Sequence, residues 1–73
     1  MVELDDRDRE VLEVLGEGRA NPYLIREKTG LDKGDTNTVL NRLARAGLAQ
    51  QVTRGLYEIT VHGEGELAQS EDA

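Results

Sequence analysis

Punctuation constrains this chain more than any other feature: helix starts and stops recur so closely along its 73 residues that every element between them must be short. Leu4, Val11, Leu12 and Leu15 repeat at helical spacing, and Asp5 stands where it can accept the free amides of a first turn, with Asp8 three residues on. A first helix is expected from about Asp6 to Leu15, stopped by Gly16 and Gly18, since glycine takes the left-handed conformation that ends a helix. Asn21-Pro22 starts a second, because Asn caps and Pro fits a first helical position that needs no N–H. That helix runs to Thr29 and closes at Gly30; Leu31 turns inward, and Asp32 caps a third helix that reaches Ala46 before Gly47 ends it.

After Gly47 the texture changes. Leu48 to Val52 and Leu56 to Val61 are short β-favouring runs separated by Thr53-Arg54-Gly55, which reads as a hairpin. Beyond it His62-Gly63-Glu64-Gly65-Glu66 is rich in glycine and charge, with Leu67 the one sizeable apolar residue, so any last helix is expected to be short. Residues 69–73 have nothing to bury and are expected to form a disordered tail, leaving one domain over 1–68. The order is helix, helix, helix, hairpin, an α+β chain with no internal repeat.

Composition makes the core thin. Only 37% of residues are apolar, with no Trp or Phe and two Tyr, Tyr23 and Tyr57, so Leu, Val, Ile and Ala must build it. A chain of this size gains from self-association, and an apolar stripe on the first helix that exceeds what the domain covers points to a homodimer. The absence of Cys removes disulfides and thiolate metal sites, and no apolar run approaches a membrane span or a signal peptide, so a cytoplasmic protein without a membrane partner is expected.

The formal net charge is -6, yet it is unevenly spread. Lys33, Arg42, Arg45 and Arg54 face only Asp35 and Glu58 between Lys33 and Thr60, while acids crowd Glu3 to Glu17 and Glu64 to Asp72. The middle of the chain is locally basic, which suits contact with phosphates.

A short helix, a glycine-containing turn and a second helix with a polar outer face is the arrangement that lays the second helix in a DNA major groove, and a hairpin with Arg at its tip can hold the backbone beside it. The segments Gly18-Arg19-Ala20-Asn21-Pro22, Thr29-Gly30-Leu31-Asp32, Leu40-Asn41-Arg42-Leu43, Ala46-Gly47-Leu48 and Gly55-Leu56-Tyr57-Glu58-Ile59-Thr60, with Gly63 and Leu67 trailing, together resemble the winged helix-turn-helix regulators. The likeness is greatest to the phage-repressor-like, MarR-like group of salt-loving archaea, whose acidic, Lys-poor proteins this chain also resembles in charge. The resemblance implies three helices followed by a two-stranded wing, a transcription regulator that binds double-stranded DNA, and often a dimer. Thr29 and Thr36 stand where that family carries bulky apolar residues, and Arg26 where it carries a small one.

Within this reading the third helix is the recognition helix. Asn37 and Asn41, four apart on one face with Thr38 beside them, are the expected base readers, since a carboxamide pairs in two-pronged fashion with the N6 and N7 edge of adenine. Lys33 and Arg42 are expected to neutralise phosphates or reach guanine, whereas Arg45 reads equally as a solvated charge. Arg54, at a projecting tip without an acid, is the expected phosphate or minor-groove contact; Tyr57 is expected to pack.

No cofactor, metal or small-molecule ligand is expected: His62 lacks a second ligand at suitable spacing and reads as a solvated turn residue. Catalysis needs a nucleophile with its base or paired carboxylates in a pocket, and the acids here all fall on faces expected to be solvated, so the chain is not read as an enzyme. The competing reading is a winged-helix module that docks another protein and never meets DNA, which the overall acidity favours. RNA binding, which calls for exposed stacking aromatics, has two tyrosines to rest on.

Overall fold

The computed structural model describes residues 4–71, with side chains as far as residue 68. Its elements are α1 (Asp6–Glu17), α2 (Pro22–Thr29), α3 (Lys33–Arg45), β1 (Ala49–Thr53), β2 (Leu56–Ile59) and α4 (Val61–Glu71). This is an α+β winged helix: three helices pack together, a hairpin follows, and a fourth helix returns over the first.

Local chemistry accounts for the helix ends. Asp5 and Asp8 form a reciprocal capping box, the Asp8 N–H donating to Asp5 Oδ1 at 2.8 Å and the Asp5 N–H to Asp8 Oδ2 at 3.3 Å. Asn21 accepts from the Leu24 N–H at 2.7 Å, Pro22 opens α2, and Gly30 ends it at φ 78°. Asp32 caps α3 by accepting from the Asp35 N–H at 2.7 Å. Gly18 is the cap residue of α1 and Gly16 lies inside that helix, correcting the expectation that both stop it.

In the sheet, Ala49 pairs with Ile59 and Gln51 with Tyr57, and the register shifts between Gln51 and Thr53 before the turn at Arg54-Gly55. The other edge of β2 is also used: Ala20, between α1 and α2, exchanges both backbone hydrogen bonds with Tyr57, at 3.0 and 2.9 Å. The wing is thereby fastened to the helical body on its inner side.

Val11, Leu12 and Leu15 of α1, Ile25 of α2, Val39, Leu40 and Leu43 of α3, and Leu48 form the core, with Leu4, Leu31, Tyr57, Ile59 and Leu67 packed against it. The apolar stripe of α1 is therefore consumed inside the domain, and the surplus that pointed to a homodimer is absent from this helix. Thr29 and Thr36 fit by donating their hydroxyls to the carbonyls of Ile25 and Asp32, each at 2.8 Å, so a polar atom enters the interior already satisfied.

The last helix departs most from expectation. Residues 61–71 are helical, so α4 is not short, the run of glycine and charge does not break it, and His62 lies exposed in its first turn. The expected tail therefore begins with helical backbone at 69–71, and residues 72 and 73 lie outside the described residues. Thr60 starts the helix: its hydroxyl accepts from the Gly63 N–H at 3.1 Å and donates to the Gly47 carbonyl at 2.6 Å, while its own N–H reaches the Leu48 carbonyl at 3.0 Å. Two glycines let the helix in close. A β-carbon on Gly63 would collide with the Leu48 carbonyl oxygen and lie 2.6 Å from Ile59 Cγ1, and one on Gly16 would lie 3.2 Å from Leu67 Cδ1.

Candidate nucleic-acid interface

At about 100° per residue, α3 divides into two arcs. Thr36, Val39, Leu40 and Leu43 are buried, whereas Lys33, Asn37, Thr38, Asn41, Arg42 and Arg45 are exposed. Lys33, Asn37, Asn41 and Arg45 follow one another at four-residue intervals along the outer face, with Thr38 and Arg42 beside the Arg45 end of the row. The side chains expected to read bases thus share one exposed strip. Arg45, which the sequence left undecided, belongs to it: Thr38, Asn41, Arg42 and Arg45 line one shallow concavity.

The charge on this strip is set by ion pairs made elsewhere. Among the described residues Lys33, Arg45 and Arg54 make no salt bridge, while both acids of the same segment face a cation outside it: Asp35 lies 3.6 Å from Arg7 and Glu58 3.5 Å from Arg19. These exposed pairs are weak. Their effect is to leave the uncompensated charge of α3 and the wing positive although the whole chain is negative.

Arg42 is placed differently from its neighbours. Its Nε donates to Asp8 Oδ1 at 3.0 Å, its Nη2 forms an ion pair with the same oxygen at 2.8 Å, and Nη2 lies 3.6 Å from Asp5. Expected as a free cation, it is half committed to α1. Asp8 in turn is buried, its side chain 3% exposed, which corrects the expectation that every acid is solvated. The Asp5 carboxyl is held below the ordinary carboxylate range, chiefly by the hydrogen bond from the Asp8 N–H, with the Arg42 charge adding to it.

Arg54 is exposed at the hairpin tip, where Gly55 takes φ 77° and turns the chain. Tyr57 is half buried against the core, as expected of it, leaving Tyr23 as the exposed aromatic, with the Arg26 guanidinium 5.9 Å from its ring centre. Among the described residues no cluster of three or more His, Asp or Glu is arranged to hold a metal, and no helix is long and apolar enough to cross a membrane.

No family model matches the sequence, and neither does any curated protein. Solved structures do match in shape. Ligand-free NadR superposes with a TM-score of 0.86 at 17% identity over 94% of this chain, which spans about half, 53%, of that one. A PadR family transcription regulator from hypervirulent Clostridium difficile gives 0.82 at 18% identity, covering 93% of this chain and 85% of that one. T. acidophilum IdeR gives 0.71 at 21% identity, covering 92% and 33% respectively. At these identities the likeness is one of fold.

Proposed function

We propose that this domain binds double-stranded DNA as part of a transcription regulator, with α3 in the major groove and the wing on the backbone or in the minor groove. The observation that carries the reading is the outer strip of α3, where two carboxamides, a hydroxyl and unpaired cations are exposed together and both nearby acids are directed to cations elsewhere. Asn37 and Asn41 read adenine edges; Thr38 offers a hydroxyl to either groove wall; Lys33, Arg45 and Arg54 meet phosphates. Arg42 takes part from its place beside Asp8. Similarity in shape to a protein described as a transcription regulator supports the same role. A homodimer reading two half-sites about one helical turn apart is the assembly that suits such a head.

Selection of bound fragments from a random duplex pool, in about molar salt so that the net negative charge is screened, should enrich one motif. Asn41→Ala should then cost about 1–3 kcal/mol on that motif and little on random duplex, while Arg54→Ala should weaken every duplex alike. Neither change should alter stability by more than about 0.5 kcal/mol, since both side chains are exposed. A pool that returns no motif, together with variants that bind every duplex as the wild type does, would transfer the assignment to a protein-docking winged helix.

A further inference from the structure

Asp8 is the buried acid among the described residues, and its position has no explanation in the helix cap alone. A capping-box residue needs only to accept the N-cap amide, which Asp8 does through Oδ2. Its other oxygen, Oδ1, accepts a hydrogen bond from Nε and pairs with Nη2 of Arg42, a residue 34 positions away on α3. A buried carboxylate oxygen held against the Nε–Nη2 edge restrains the direction of the planar guanidinium and leaves its Nη1 side turned away from the pair. Yet Arg42 is not consumed by the pair. Its side chain is 49% exposed, Nη1 makes no hydrogen bond or ion pair among the described residues, and the residue lines the concavity with Thr38, Asn41 and Arg45.

We infer that Asp8 is a positioning residue for DNA binding: it anchors Arg42 so that the free edge of the guanidinium, together with Arg45, presents a preformed cradle for one backbone phosphate beside Asn41. The inference rests on the DNA-binding reading of α3. Freezing the arginine before contact removes the entropy that a loose side chain loses on binding, so an acid placed behind the interface strengthens attachment to a polyanion. Exposed Asp5, 3.6 Å from Nη2, adds to the restraint, and Asp35, the acid in the first turn of α3, is turned to Arg7.

The sign of one substitution tests it. Asp8→Asn keeps a cap acceptor and makes the protein less negative, so a purely electrostatic influence would tighten binding to DNA. Positioning predicts the opposite: roughly tenfold weaker binding to the selected duplex, with the salt dependence of binding shallower by about one counterion. Glu13→Gln, which removes the same charge from an exposed site on α1, should leave binding equal or slightly tighter. On an Arg42→Gln background, Asp8→Asn should cause no further weakening. Loss that is equal with and without Arg42 marks Asp8 as merely structural and overturns the inference, as does an Asp8→Asn protein that binds like Glu13→Gln. Should Asp8→Asn not fold, the Arg42 Nε–H resonance of the wild type decides: slow hydrogen exchange both free and DNA-bound supports the anchor, and release on binding overturns it. A wild type that binds no duplex at all removes the DNA reading itself, and the inference falls with it; binding by the wild type with either adverse result removes the inference alone.

Discussion

At the residue scale, two glycines two positions apart in α4 have opposite roles. Gly63 faces the Leu48 carbonyl with no room for a β-carbon, while nothing lies within 4 Å of the one Gly65 would carry. Gly63→Ala should therefore destabilise the domain by about 1–3 kcal/mol through overpacking against backbone, which cannot give way as a side-chain tip can. Gly65→Ala should stabilise it by about 0.5–1 kcal/mol, because alanine loses less backbone entropy in a helix. Urea unfolding of the two variants beside the wild type checks both, and equal shifts of one sign would mean that α4 does not sit on Leu48 as described. The same contrast explains why this helix was illegible in the sequence. Gly63 and Gly65 look alike as letters, and what distinguishes them is a carbonyl contributed from before the hairpin. Asp8 was hidden for the same reason: its place in a capping box is local and readable, whereas its burial depends on Arg42, far along the chain.

At the scale of elements, the features read correctly are those whose determinants lie within a few residues. Asp5, Asn21 and Asp32 accept the amides expected of them, and Arg54-Gly55 makes the expected turn. The outer strip of α3 was legible because helical periodicity alone assigns it. What periodicity could not show is which cations on it are already engaged: Arg42 is paired with Asp8, whereas Arg45 makes no salt bridge among the described residues. The wing is held unevenly. Its base is fastened by the Ala20–Tyr57 pair and by Thr60 on Gly47 and Leu48, while Gln51 to Arg54 are exposed. Amide exchange measured by NMR should grade accordingly, slow at Ala20, Tyr57 and Thr60 and fast at Arg54. Uniformly fast exchange along the hairpin would show that the base is not fastened.

For the whole molecule, charge is the governing quantity. Glu10, Glu13 and Glu17 line an open groove beside α2, relieved there by the contact of Lys28 with Glu17 at 2.7 Å. With a net charge of -6, self-repulsion should fall as salt screens it, so the melting temperature should climb with KCl; a flat response up to molar salt would show that repulsion is not limiting. The way the chain closes on itself has a further consequence for its synthesis. Ala20 waits for Tyr57, and the groove over Gly16 waits for Leu67. A nascent chain that has emerged only as far as α3 holds three capped helices but lacks the hairpin and the helix that complete the packing around α1. The packing around α1, begun by α2 and α3, is therefore completed only once β2 and α4 have left the ribosome.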